Sequence, residues 1–173
     1  GHVGRFHPQK NHGFLIDIFY EFLKHHPESI LLLVGDGSGR AVIRRKINRL
    51  GISSHVCFTG SREDVPDLLQ AMDVFVFPSH YEGLGISIVE AQAAGLPCLI
   101  SDTIPAECIV TKHLVVRYDL KKPPDAWAEK ITSLLHLPRK DRTDEIRQAG
   151  YDLAQAAEKL ETFYAEAKRR NRS

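Results

Sequence analysis

Asp73-Val74-Phe75-Val76-Phe77 is followed, six residues later, by Leu84-Gly85-Ile86-Ser87-Ile88-Val89-Glu90-Ala91-Gln92-Ala93-Ala94, and then by Pro97-Cys98-Leu99-Ile100-Ser101. The first and last of these runs have strand length and are apolar without alternation, as expected where both faces of a parallel sheet are covered. The middle run has helical length and stops at Gly95-Leu96-Pro97. Strand, loop, helix, strand is the unit of a doubly wound α/β domain.

The pattern repeats outward from this unit. Strands are expected at Ile30 to Val34, Val56 to Thr59 and Leu114 to Arg117, with a short first strand at His2-Val3-Gly4. Helices are expected from Asn11, a candidate N-cap, through Leu23; from Ser38 to Leu50, ended by Gly51; from Asp64 through Met72; after Pro123-Pro124, carrying Trp127, Ile131 and Leu134; and from Asp141 onward, with Leu153, Ala156, Leu160 and Phe163 on one side. The expected fold is a Rossmann-like, doubly wound parallel sheet of about six strands flanked by helices, with residues 1–173 forming one domain.

Composition narrows the functions. The chain of 173 residues carries 23 Lys plus Arg against 22 Asp plus Glu, a net charge of +1. Such a balance offers no broad field for gathering nucleic acid, so any bound anion must be met by locally placed groups. The three cysteines, Cys57, Cys98 and Cys108, are odd in number and widely spaced, which argues against a disulfide framework and for a reducing cytoplasm. Cys57 and Cys98 lie in apolar runs and read as small core residues. No apolar run has the length to span a bilayer, and the first residues are no signal peptide. The chain opens at what reads as a strand end, so an N-terminal portion is expected to be missing. The terminal Lys168-Arg169-Arg170-Asn171-Arg172-Ser173 reads as a solvated helix end, with contact to the inner face of a membrane as the alternative.

Ligands of open α/β sheets bind beyond the carboxyl ends of the strands. The loops expected there hold Gly4, Arg5 and Lys10; Gly35-Asp36-Gly37-Ser38-Gly39; Gly60-Ser61-Arg62; and Glu82-Gly83-Leu84-Gly85. Arg5 and Lys10, next to a helix N-terminus, suit a diphosphate, because helix amides add partial positive charge and Arg grips phosphate through paired hydrogen bonds. Read without a ligand, they are two solvated cations. Gly35 to Gly39 lacks the G-x-G-x-x-G spacing of a dinucleotide site and reads first as a tight turn. Glu90 interrupts a helix that is otherwise apolar nearly all round. A buried carboxylate is costly unless it is paired or serves a ligand. Glu82 just before that helix suits sugar hydroxyls, the amides of Leu84, Gly85 and Ile86 suit phosphate, and Glu90 suits a ribose. The structural alternative is a capping Glu82 and a Glu90 tied to a neighbouring helix.

Glu82 through Glu90 resembles the E-x7-E signature of retaining group 1 glycosyltransferases with the GT-B fold. Gly4-Arg5 with Lys10-Asn11, Val34-Gly35-Asp36-Gly37, Phe58-Thr59-Gly60, Asp73 through Ser79, and Glu90-Ala91 with Ala94-Gly95-Leu96-Pro97 resemble, in order, further motifs of that family. The match runs from residue 3 to about 105 and is nearest to bacterial capsular and exopolysaccharide transferases. The resemblance implies a donor-binding half of a GT-B enzyme. It implies a nucleoside-diphosphate sugar, taken as a UDP-sugar, as donor for retaining transfer, without metal or other cofactor. It implies that Arg5 and Lys10 hold the diphosphate, that Glu82 meets the hexose, and that Glu90 holds the ribose. Gly4, Gly35, Gly37, Gly83, Leu84, Gly85 and Ile86 would line the donor, with Ser61 and Arg62 near the base. It also implies an N-terminal partner domain that brings a saccharide or lipid-linked acceptor, and a chain incomplete as an enzyme without it. Two competing functions are a non-catalytic nucleotide or phosphosugar module and a dinucleotide-dependent oxidoreductase; the latter lacks its glycine fingerprint.

Overall fold

In a computed structural model, which describes residues 1–170 except for the side chains of Leu153, Glu166, Ala167, Arg169 and Arg170, the apolar runs become six short parallel strands. They are β1 (His2–Val3), β2 (Leu31–Val34), β3 (Val56–Gly60), β4 (Phe75–Phe77), β5 (Cys98–Ser101) and β6 (Val115–Tyr118). The strands pair in two runs of three, β1-β2-β3 and β4-β5-β6. Gly1 stitches the runs together: its amine donates to the Val74 carbonyl at 2.7 Å, and the Val76 amide donates to the Gly1 carbonyl at 2.9 Å. The order across the sheet is therefore β3-β2-β1-β4-β5-β6, with its topological switch between β1 and β4. The doubly wound α/β expectation holds.

Among the described residues, seven α-helices accompany the strands: α1 (His12–Leu23), α2 (Arg40–Arg49), α3 (Val65–Gln70), α4 (Ile86–Ala93), α5 (Pro124–Leu134), α6 (Thr143–Gln148) and α7 (Leu153–Arg170). Side chains alternate across the pleat, so the inner strands feed two cores. Leu33, Val74, Val76 and Leu99 face one cluster with Leu15, Ile18 and Trp127 from α1 and α5. Val34, Phe75, Phe77, Cys98 and Ile100 face the other, with Leu69, Ile88, Val89 and Ile146 from α3, α4 and α6. This double burial explains why the strand runs lack alternation in the sequence.

Several expectations need correction. Cys57 is exposed, because β3 is an edge strand and its alternate residues leave the core. Asn11 sits at the N-terminus of α1 in the left-handed region (φ 54°) and makes no side-chain cap. The second helix begins at Arg40, after the glycine turn has ended. The helix expected from Leu84 begins at Ile86, because Gly85 takes a left-handed φ of 71°. The C-terminal stretch is two helices, broken at Gly150 (φ 93°). Of the basic tail, Asn171-Arg172-Ser173 lies outside the described residues. Leu160, Phe163 and Tyr164 of α7 are exposed.

A groove of about 810 Å³ opens at the amino ends of the strands, where Gly1, Phe22, Ile30 and Met72 meet. It lies at the end of the sheet opposite the candidate loops. Among the described residues, no helix is long and apolar enough to cross a membrane.

Candidate functional site

The site is built where two loops from either side of the switch point lock together. The chain leaving β1 runs through Gly4-Arg5-Phe6 into a 3-10 turn at Pro8–Lys10. The chain leaving β4 runs through Ser79 to Glu82 and into α4. Gln9 Nε2 donates to the Tyr81 carbonyl at 2.9 Å, and the His80 amide donates to the Gln9 carbonyl at 2.8 Å. Lys10 Nζ donates to Glu82 Oε1 at 2.8 Å. The Lys10 ammonium also lies 4.6 Å from the centre of the Phe77 ring. The pair is largely withdrawn from water, with side-chain exposures of 16% for Lys10 and 7% for Glu82. Glu82 is therefore no helix cap; it neutralises Lys10.

Beyond Glu82, Gly83 through Gly85 leads into α4 without a side-chain cap. The amides of Leu84, Gly85 and Ile86 donate to no acceptor among the described residues. Uncapped amides at a helix N-terminus can receive an anion. Leu84 and Ile86 stand exposed on the same rim.

The glycine loop has a structural reason of its own. The Gly4 amide donates to the Val34 carbonyl at 2.9 Å, the Phe6 amide to the Asp36 carbonyl at 3.0 Å, and the Gly39 amide to the Phe6 carbonyl at 2.9 Å. Two loops thus lie backbone to backbone. A Cβ at Gly35 (φ +131°) would fall on the Gly4 carbonyl oxygen, and one at Gly37 (φ +153°) would stand 2.8 Å from the Phe6 nitrogen. Gly35 and Gly37 set the path of the loop that carries Arg5, whatever they do toward a ligand.

Arg5 is exposed and forms no ion pair among the described residues, so it remains available on the rim. Ser61 is exposed on the loop after β3, which is tied to the glycine turn by the Gly35 amide donating to the Gly60 carbonyl at 2.8 Å. The Arg62 guanidinium is held by Asp64 through two hydrogen bonds of 2.7 and 2.6 Å. Its side chain serves its own loop.

Glu90 departs most from expectation. The α4 helix is buried on one side only: Ile88, Val89, Ala91 and Gln92 face inward, while Ile86 and Glu90 share the exposed flank. The Glu90 carboxylate makes no ion pair or hydrogen bond among the described residues. It borders a groove of about 310 Å³ shared with Ile146 and Tyr151. Partial burial alone raises its pKa above the ordinary carboxylate range. The structure brings Lys10 and Glu82 into contact and leaves Glu90 unpaired on the same helix that Glu82 introduces.

Three functional-looking residues were not singled out in the sequence. Below Gly4 and Lys10 lie His2 and His12, with ring centres 4.7 Å apart. His2 donates Nδ1–H to the Val76 carbonyl at 2.9 Å, leaving Nε2 buried without a partner; His12 Nε2 is equally orphaned. Burial first, and His12 second, hold His2 well below the ordinary histidine range. Burial and then the Lys10 charge lower His12 to about 4. Both are neutral neighbours of a cationic site. For His2, histidine at a strand position was the available signal. The third, Gln92, is buried and clamps the loop after β5: Nε2 donates to the Ile88 and Cys108 carbonyls, and Oε1 accepts from the Val110 and Thr111 amides. Nothing in a single sequence marks it. Among the described residues, no group of three or more His, Cys, Asp or Glu is arranged to hold a metal ion.

Sequence and fold both relate this chain to known glycosyltransferases. EpsF of Bacillus subtilis, named as a glycosyltransferase, is 38% identical over 167 residues, which are 95% of this chain and 44% of that protein. The chain thus spans less than half the length of that relative. An Escherichia coli galactosyltransferase, named for a UDP-galactose donor and a diphosphoundecaprenol-linked acceptor, is 34% identical over 111 residues, 62% of this chain and 29% of that protein. The crystal structure of Anabaena HepE in complex with UDP-glucose superposes with a TM-score of 0.71 at 26% identity, covering 94% of this chain and 48% of HepE. The fold is one Rossmann-like half of the GT-B architecture. The family model described as glycosyl transferases group 1 matches residues 1–153, and the chain belongs to that family.

Proposed function

We propose that this chain binds a nucleoside-diphosphate sugar, a UDP-sugar, as the donor for retaining glycosyl transfer in polysaccharide or glycoconjugate synthesis in the cytoplasm. The observation that carries the reading is the Lys10–Glu82 pair, which joins the loops on both sides of the switch point beside the open amides of α4. An ammonium has three N–H donors. One is given to Glu82 and the others are available to a diphosphate. Arg5, Lys10 and the amides of Leu84, Gly85 and Ile86 stabilise the negative charge that builds on the leaving diphosphate. Glu82 contacts the hexose while orienting Lys10. Glu90, which the fold does not use, holds the ribose hydroxyls. The base lies against the backbone at Ser61 and Arg62, since the Arg62 side chain is already engaged by Asp64. The nucleotide complexes of HepE support the choice of UDP. An N-terminal partner domain supplies the acceptor, saccharide or lipid-linked, and the transfer needs no metal.

Titration calorimetry with UDP, GDP, NAD and UDP-hexoses tests the binding. The expected result is saturable binding of UDP and a UDP-hexose, weakened at least tenfold by Lys10→Ala. Binding of NAD with no response to UDP overturns the reading. In the full-length protein, Glu82→Ala should abolish transfer; unchanged transfer with intact nucleotide binding would favour a non-catalytic module.

A further inference from the structure

The middle of the sheet is left open at its amino end. β1 is a central strand, yet it spans only His2–Val3. His2 pairs with Leu33 of β2, so Leu31, two positions earlier, is paired on the β3 side alone, with Val56. On the other flank, the Val74 amide is buried and donates to no acceptor among the described residues. A buried backbone N–H without a partner is rare and costly. The groove of about 810 Å³ lies in this gap, lined by Leu31 and Val74 and, from α1 and α5, by Leu15, Ile18, Phe22 and Ile131. Ile30, at its lip, is 59% exposed. The Gly1 amine stands at the head of the groove, bonded to the Val74 carbonyl. Burial pulls its pKa down to about 5, so it is neutral at pH 7. A peptide N–H at that atom would make the same bond with no charge to desolvate.

We propose that the groove is a strand slot, occupied by the segment of the full-length protein that is joined to the Gly1 nitrogen and lies extended between β2 and β4. Chain for this role is available, since the matched stretch is only 44% of EpsF. Continuity selects the occupant. A strand from another molecule would have to stop against Gly1, whereas a joined segment continues the pairing that His2 and Val3 have already set. Register then fixes what the segment presents. The residue directly before Gly1 falls opposite Leu31 and shares the face of Leu33, against α1 and α5, so it is apolar. The carbonyl two residues before Gly1 falls at the Val74 amide, as the Gly1 carbonyl falls at the Val76 amide. The segment that ties this domain to the rest of the protein is thus no free linker. It anchors one end of β1, whose other end carries Gly4 and Arg5 into the crevice. The slot lies at the opposite end of the sheet from the nucleotide site and stands independently of the donor reading.

Native-state hydrogen exchange and thermal melts test it. The chain of residues 1–173 is compared with the same chain extended by the four residues that precede Gly1 in the full-length protein, and with a control extended by a Gly-Ser-Gly-Ser tetrapeptide. The native extension should slow exchange at the Val74 amide by at least about 100-fold and raise the melting temperature by at least about 5 °C. The control removes the charged amine but carries no apolar side chain, and should leave the Val74 amide unprotected. In the full-length protein, replacing the residue directly before Gly1 by Asp should return the Val74 amide to fast exchange; if that variant does not fold, replacement by Ala reads the same loss with a smaller shift. Val74 exchange unchanged by the native extension, or equal protection from the control, would overturn the proposal. Protection that grows with protein concentration, together with a dimer in sedimentation velocity, would give the groove to a second copy and overturn it as well.

Discussion

Lys10 Nζ and Glu82 Oε1 meet at 2.8 Å although the residues are 72 positions apart in the chain. Their contact closes the switch point of the sheet and leaves each charge with little water. Removing one partner strands the other. Lys10→Met is expected to cost about 3 kcal/mol by urea denaturation. The double variant Lys10→Met with Glu82→Gln should recover part of that loss, because no uncompensated charge remains. Additive losses across the cycle would mean that the pair is not coupled.

Glu90 is expected to trade stability for binding. Burial raises its folded pKa above the unfolded value, so the native state holds its proton at pH values where the unfolded state has released it. By linkage, stability declines as pH rises through that interval, and the ionised group is a net cost at neutral pH. Glu90→Gln should therefore raise the melting temperature of the ligand-free chain at pH 7. The gain should fade as pH falls below the ordinary carboxylate range and the native residue becomes neutral. The same variant should weaken UDP binding, read by thermal shift.

His2 and His12 give the opposite sign. Both folded pKa values lie below the unfolded one, that of His12 at about 4. Between about 4 and the usual value of 6.5, the unfolded state binds protons that the native state refuses. Stability should fall as pH drops through that window, each group contributing a slope of about 1.4 kcal/mol per pH unit. His12→Asn should remove one proton from the slope in denaturation series at pH 4.5 to 6.5. An unchanged slope would show that His12 titrates normally.

Gly35 and Gly83 should respond differently to alanine. A Cβ at Gly35 meets the Gly4 carbonyl oxygen at a φ of +131°, while one at Gly83 has nothing within 4 Å. Gly35→Ala should destabilise by roughly 2–4 kcal/mol, from backbone strain and displacement of the facing loop. Gly83→Ala should stay within about 0.5 kcal/mol of the parent chain. Because the displaced loop carries Arg5, Gly35→Ala should also lower UDP affinity; calorimetry on protein still folded at low temperature reads this.

Gln92 should prove the most sensitive polar residue of the second core. Gln92→Leu leaves the Cys108 carbonyl and the Val110 and Thr111 amides without their partner, a loss of about 3 kcal/mol or more by chemical denaturation.

The sequence alone determined the fold class and the set of rim loops, because doubly buried strands must be apolar throughout and because glycines, cations and carboxylates fell in the segments after them. It also carried the family, through the ordered motifs from Gly4 to Pro97. Tertiary structure alone decided which of these residues touch. Lys10 and Glu82 are joined only by the packing of two distant loops, and Arg62 is withdrawn by a local bond to Asp64. Helical phase and the docking of α6 put Glu90 on the open flank of α4, although its neighbours in sequence are apolar. Cys57 left the core because β3 is the edge of the sheet, and strand order is a property of the whole chain, not of the run in which a residue lies.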